Sequence, residues 1–259
     1  MYGAVIGDLA GSIYEYDQYK KLSKIEVKKI VEDNSFFSDD TVLTMAILDA
    51  VLNKGDYCYY LKEYANKYND QIPECVNYFK TLFSPNFMNW VVGHYNSMSI
   101  GNGAMMRISP VGYLFNSEEE IIENVYLATY SSHGSIEAIN YATKVALIIY
   151  YARSGLTKEE IIEKLDLDIK YSPFTKFNTT CHETFDNCVY AAFINNSFDS
   201  SLKEVISYGG DTDTNACITG SIAEALYGID KDLIKQANKK IPNDFIKKLD
   251  EGYAKIKRL

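Results

Sequence analysis

Apolar positions recur along this chain mostly at spacings of three and four residues, the period of one face of an α-helix. After Asp40, the residues Val42, Leu43, Ala46, Ile47, Ala50 and Val51 share such a face. Ser117 followed by Glu120 is a capping-box pair ahead of Ile121, Ile122 and Val125. In such a pair the hydroxyl accepts an orphan amide and the carboxylate reaches back to the cap. Thr157 with Glu160 repeats the signature ahead of Ile161 and Ile162, and Ser201 with Glu204 repeats it ahead of Val205 and Ile206. A further helical run extends from Ile136 to Tyr150. Strand signals are weak: Ile25 to Val31 holds branched residues, but lysines and a glutamate interleave them. The pattern predicts an all-α fold, a compact helical bundle forming a single domain over residues 1–259.

Two of the expected helices are built for close approach. The first carries Gly3, Gly7 and Gly11 at a spacing of four. The other runs from Thr214 to Leu226 with Ala216, Gly220 and Ala223 on one side, and Gly228 is its expected stop. Small residues at this spacing let two backbones meet in a core, which would draw the neighbouring helix ends together.

Composition narrows the setting. Of 259 residues, 47% are hydrophobic, enough to bury a sizeable core. No apolar run reaches the roughly 18 residues of a membrane span. Met1 to Ile13 lacks a basic start and is interrupted by Asp8, so it is not expected to be a secretion signal. The formal charge of -9 argues against broad binding to nucleic-acid phosphates, although a nucleotide-sized ligand held by backbone amides is compatible with it. Basic residues gather after Asp230, where they read as the solvated face of closing helices. The five cysteines form no C-x-x-C pair and are odd in number, which points to a reducing, cytoplasmic setting.

Two segments concentrate acid beside hydroxyl at a loop-to-helix junction: Ser38-Asp39-Asp40-Thr41 and Gly209-Gly210-Asp211-Thr212-Asp213-Thr214. Helix capping is the bland explanation, since Ser, Thr and Asp oxygens accept free first-turn amides. One cap needs one such residue, however. Adjacent carboxylates next to an apolar helix repel unless a cation offsets them. An all-oxygen set suits Mg2+, Mn2+ or Ca2+. Glu15, seven residues or about two turns beyond Asp8, is a third acidic candidate.

Gly101-Asn102-Gly103-Ala104-Met105-Met106-Arg107 is the remaining distinct segment. Backbone amides exposed by glycines at a helix start make an anion site that suits a diphosphate, although G-x-G also marks plain turns. Arg107 is a candidate for that phosphate or for a structural salt bridge. His133, in Ser131-Ser132-His133-Gly134, is the histidine singled out; His94 and His182 are isolated.

Taken in series, Gly7-Asp8 through Glu15, the Ser38 and Gly209 segments, the Gly101 segment and Ser132-His133 resemble the ADP-ribosylglycohydrolase family, which includes the dinitrogenase reductase-activating glycohydrolases. The resemblance implies an all-helical fold and a centre of two Mg2+ or Mn2+ ions. Ser38, Asp39 and Asp40 would hold one side and Asp211, Asp213 and Thr214 the other, with Asp213 between the ions. It places Glu15 at the site entrance. It assigns the Gly101-Asn102-Gly103-Ala104-Met105 run to the substrate diphosphate, through the amides of Gly103, Ala104 and Met105, and His133 to the nucleotide or its ribose. Ser38 stands where the family often has Thr, which keeps the hydroxyl. The chain is short for the family, which bears on substrate choice more than on metal binding.

The implied reaction is hydrolysis at C1″ of an ADP-ribosyl group on a protein or small molecule, with Asp39, Asp40 or Glu15 accepting a proton. Two other classes fit the same segments: a non-catalytic ADP-ribose binder, and a metal-dependent nucleotide phosphohydrolase.

Overall fold

A computed structural model describes residues 1–18, 25–71, 81–93, 95–174 and 176–256, with the side chains of 16–18 outside the description. In chain order the helices are α1 (Tyr2–Gln18), α2 (Asp39–Asn53), α3 (Tyr57–Tyr68), α4 (Pro85–Val92), α5 (Gly103–Met106), α6 (Ser109–Leu114) and α7 (Glu118–Thr129). They continue as α8 (Ile136–Arg153), α9 (Lys158–Leu165), α10 (Cys181–Ile194), α11 (Phe198–Ser207), α12 (Thr212–Tyr227), α13 (Lys231–Asn238) and α14 (Asn243–Lys255). Among the described residues, extended pairing is limited to two isolated antiparallel bridges, Met98 with His133 and Gly101 with Thr180. The expected all-α fold is the fold observed. None of these helices is long and apolar enough to cross a membrane.

The centre of the molecule is the seam between α1 and α12. A Cβ placed on Gly3 would lie 2.1 Å from the Gly220 carbonyl oxygen, one on Gly7 2.0 Å from that of Ala216, and one on Gly11 2.2 Å from that of Thr212. As one partner number rises the other falls in equal steps, so the helices run antiparallel. Their backbones touch at each turn, a separation that no residue with a side chain permits. The Gly3 amide donates to Glu224 Oε2 at 2.8 Å, tying the far end of the seam. Antiparallel packing sets the start of α12 beside the second half of α1. The neighbourhood of Asp211 and Asp213 therefore faces that of Glu15.

Other helices enclose this pair. The hairpin of α10 and α11 packs on α12, and α8 packs against α6, α7 and α12. Helix α2 bridges α1, α3, α6 and α14. One hydrophobic core runs from Met1 to Leu249.

Local signals account for several boundaries. Thr157 and Glu160 form a full capping box at α9. Ser117 caps α7, but Glu120 reaches one residue further back and accepts from the Asn116 amide. The third expected box is displaced. Ser197, not Ser201, caps α11, through the Ser200 amide, while buried Ser201 donates to the Ser197 carbonyl inside the helix. Phe198 is buried at the first helical position, so its burial pulls the start of the helix four residues forward. Ile25 to Val31 is extended coil: Val27, Ile30 and Val31 turn into the core, and among the described residues no strand lies alongside. The basic closing helices are a solvated face, with Lys235 paired to Asp232 and Lys255 to Glu251. Cys58, Cys181, Cys188 and Cys217 are free thiols; Cys75 and His94 lie outside the described residues.

Candidate active site

Three helix ends converge on one acidic floor, and each arrives there by its own sequence logic. Ser38 caps α2 by accepting the Asp40 amide. Asp39 and Asp40 are therefore free of the capping role that would otherwise explain them. At α12 the N-cap residue is Asp211, yet its side chain makes no capping bond. Its Oδ2 instead accepts from Asn102 Nδ2 at 2.7 Å, and its amide donates to Asn178 Oδ1 at 2.9 Å. Gly209 and Gly210, at φ 77° and 75°, take the left-handed conformation that turns the chain into this position. A Cβ on Gly210 would sit 2.1 Å from Asn178 Oδ1, so that glycine also makes room for the asparagine.

The resulting cluster is dense. One carboxylate oxygen each from Glu15, Asp211 and Asp213 lies within 4.8 Å of the others. Asp40 Oδ2 accepts from Ser38 Oγ at 3.2 Å and from Thr214 Oγ1 at 3.3 Å, so it joins the α2 start to the α12 start. Asp8 lies beneath them. Its Oδ2 accepts from the amides of Ser38 and Thr41 at 2.8 and 3.0 Å and from Thr41 Oγ1 at 2.5 Å. The Oδ1 atoms of Asp8 and Asp40 are buried without a hydrogen-bond partner among the described residues.

Burial dominates the electrostatics here, and the neighbouring carboxylates add to it. Burial, then the charge of Asp213, lifts the Asp8 carboxyl to about 7. The same two causes lift Asp39 to about 8, with Arg107 offsetting only part of the effect. Asp40 and Asp211 are pushed well above the usual range, again by burial and then by Asp213. Carboxylates gathered this tightly, with buried lone pairs left over, suit a site where cations supply the missing positive charge. The donor set is entirely oxygen, which fits hard divalent ions.

A cleft of about 900 Å³ opens above the floor. Glu15, Ser38, Asp39, Asp211, Asp213 and Thr214 line it, and Asp40 lies behind them, 1% exposed. The Gly101 segment forms one wall. It is stitched to α10 by bonds from the Asn102 amide to Thr179 O and from the Cys181 amide to Ile100 O, each 2.9 Å. On its other side the Gly134 amide donates to Ser97 O at 2.7 Å. Gly101, Asn102, Gly103 and His133 face the cleft.

Ala104 and Met105, expected beside Gly103 in the diphosphate cradle, lie outside the cleft lining. Both are buried in the core, and their amides donate to Gly101 O and Asn102 O, closing the short turn of α5. Among the described residues Arg107 forms no salt bridge: its Nη2 donates to Ala128 O at 3.2 Å and to Ser132 Oγ at 2.6 Å. His182 stands apart, with Nδ1 beside Tyr141 Oη.

Sequence reasoning missed the residues that aim the carboxylates. Asn102, expected at the substrate, lines the cleft and also holds Asp211. Asn178 and Asn215 continue that network, with Asn178 Nδ2 donating to Asn215 Oδ1 at 2.8 Å. Single asparagines carry no local signature, and only the fold brings them to the acidic loop.

The fold and this cleft define an all-helical protein with an oxygen-rich acidic site. A solved structure named ADP-ribosylglycohydrolase-related protein complex superposes with a TM-score of 0.70 over 98% of this chain and 92% of its own, at 18% identity. At that identity the likeness speaks for the fold. The sequence profile described as ADP-ribosylglycohydrolase matches residues 1–259, and the chain belongs to that family. ADP-ribosylhydrolase ARH3 of Mus musculus is 22% identical over 306 residues, covering 88% of this chain and 83% of its own. ADP-ribosylarginine hydrolase Tri1 of Pseudomonas putida (strain GB-1) is 22% identical over 261 residues, covering 88% and 69%. The chain is accordingly a glycohydrolase-class enzyme.

Proposed function

We propose that this enzyme hydrolyses the C1″ glycosidic bond of an ADP-ribosyl group on a protein or small molecule, using two Mg2+ or Mn2+ ions. The observation that carries this reading is the meeting of Glu15, Asp211 and Asp213 at the floor of a ligand-sized cleft, in a chain of this family. Ser38, Asp39 and Asp40 would hold one ion and Asp211, Asp213 and Thr214 the other, with Asp213 shared. Bound there, such ions supply Lewis acidity that orients ribose hydroxyls and lowers the pKa of water.

The protein's own groups have separable roles. Asp39 and Glu15 face the cleft and are the carboxylates placed to take a proton from an attacking water. Asp40, behind the cleft wall, fixes Ser38 and Thr214 instead. Asn102 and Asn178 hold Asp211 in aim. A reducing, cytoplasmic setting agrees with the free thiols.

The test is release of product from arginine-linked and serine-linked ADP-ribosylated peptides, each with Mg2+ and with EDTA. Free ADP-ribose appearing only with Mg2+ supports the proposal and names the linkage. AMP or inorganic phosphate as product would make the enzyme a phosphohydrolase. ADP-ribose binding without any turnover would make it a binder.

A further inference from the structure

At the cleft wall, Arg107, Ser132 and His133 form a chain of buried polar contacts that the metal site does not use. Arg107 is fully buried, and its two acceptors, Ala128 O and Ser132 Oγ, are both served by Nη2. Its Nε and Nη1 have no acceptor among the described residues, so Ser132 is the side chain that anchors this guanidinium. Ser132 is 2% exposed, and its Oγ also lies 3.0 Å from His133 Nδ1.

The direction of the second contact follows from the first. A guanidinium can only donate, so Ser132 Oγ accepts from Arg107. A hydroxyl has one hydrogen of its own, and among the described residues the acceptor within its reach is His133 Nδ1. Were that nitrogen protonated, Ser132 would accept twice and its own hydrogen would be buried without a partner, which folded proteins avoid. An imidazolium would carry the same fault and would stand beside the guanidinium. Burial, then the charge of Arg107, holds the His133 pKa well below the usual value, which agrees with a neutral ring.

We infer that Arg107 and Ser132 are positioning residues that lock His133 as the neutral tautomer protonated at Nε2, so that it presents a hydrogen-bond donor to the cleft. Nε2 lies over the Gly101 wall: a Cβ on Gly101 would be 3.3 Å from it, and one on Gly103 3.2 Å. The glycines leave that donor uncovered. Its partner is an acceptor oxygen of the ligand, of the phosphate or ribose class. This role in binding rests on the hydrolase reading above, whereas the tautomer itself does not.

The test is long-range 1H–15N correlation spectroscopy on the full-length, 15N-labelled protein at pH 7 without substrate. The chain has three histidines, and His94→Gln and His182→Gln assign the His133 signals by elimination. The expected spectrum shows His133 protonated at Nε2 alone. Ser132→Ala should give a mixed or reversed tautomer, while Ser132→Thr, which keeps the hydroxyl, should restore the native pattern. In calorimetric titration with ADP-ribose, Ser132→Ala should weaken binding about tenfold, the loss expected for one ligand hydrogen bond, and Ser132→Thr should recover it. A wild-type ring protonated at Nδ1, or at both nitrogens, overturns the inference, and so does an unchanged tautomer in Ser132→Ala. The wild-type spectrum decides even if neither variant folds. A correct tautomer without ADP-ribose binding would sink the hydrolase reading instead.

Discussion

Gly7→Ala is the sharpest test of the architecture that carries the site. The added Cβ would sit 2.0 Å from Ala216 O, 2.4 Å from its carbonyl carbon and 2.6 Å from the Cys217 amide nitrogen. Ordinary contact begins at 3.4 Å, so the nearest approach is short by about 1.4 Å. The obstacle is backbone, held in α12 by its own hydrogen bonds, and no rotamer change relieves it. The helices must part, and Gly3 and Gly11 share the seam, so packing is lost along its length. Overpacking of a core costs about 1–3 kcal/mol, and a backbone clash lies at or above the top of that range. Alanine regains roughly 1 kcal/mol of helix propensity over glycine.

The expected net loss is about 2–4 kcal/mol, a fall in Tm of roughly 5–15 °C for a chain of this size. Asp8 is the next residue and Asp213 faces it across the seam, so Mg2+ affinity should fall as well. Thermal melts followed by circular dichroism, with calorimetric Mg2+ titration, measure both. Gly155→Ala is the control: φ is +89° there, with nothing within 4 Å, so its cost is backbone strain of roughly 1 kcal/mol with Mg2+ affinity unchanged. If Gly7→Ala melts within about 0.5 kcal/mol of the wild type and binds Mg2+ equally well, the close seam is not what assembles the site.

Three further outcomes are expected. Asp213→Ala should abolish turnover and weaken metal binding, as read by ADP-ribose release and Mg2+ titration; full activity in that variant would refute the two-ion assignment. Asn102→Ala removes the 2.7 Å bond that aims Asp211 and should lower metal affinity or kcat by about 10–100-fold with the fold intact. Without divalent ions, stability should fall as pH rises. Asp8 and Asp39 have folded-state values of about 7 and 8 against 3.8 for a solvent-exposed carboxyl, so the native state keeps protons that the unfolded chain releases. Their stabilising contribution is full below about pH 4 and is lost by about pH 8, at up to roughly 1.4 kcal/mol per pH unit for each group. Urea midpoints measured from pH 5 to 8 with EDTA should show this fall, and saturating Mg2+ should flatten it; midpoints that rise with pH in EDTA would contradict it.

Much of this molecule is legible in short stretches of sequence. The apolar period of three and four gave helices, and Thr157 with Glu160 placed the start of α9, because a capping box is a contact among neighbours in sequence. The surplus of carboxylates at Ser38–Asp40 and Asp211–Asp213 pointed to a cation site because one helix cap needs only one acceptor. The glycine rows at Gly3, Gly7, Gly11 and Gly220 foretold a close helix pair.

Tertiary structure decided what those signals could not. Whether α1 and α12 ran parallel or antiparallel determined which ends met, and the antiparallel seam set Glu15 beside Asp213. Burial separated Asp39, on the cleft, from Asp40, behind it, although the two are adjacent in sequence. It also turned Ala104 and Met105 into the core and spent their amides on α5. Asn102, Asn178, Asn215 and Ser132 gained their roles from partners far away in the chain. A local pattern fixes what a residue is able to do, whereas the packing of distant helices fixes which of its atoms still face the cleft.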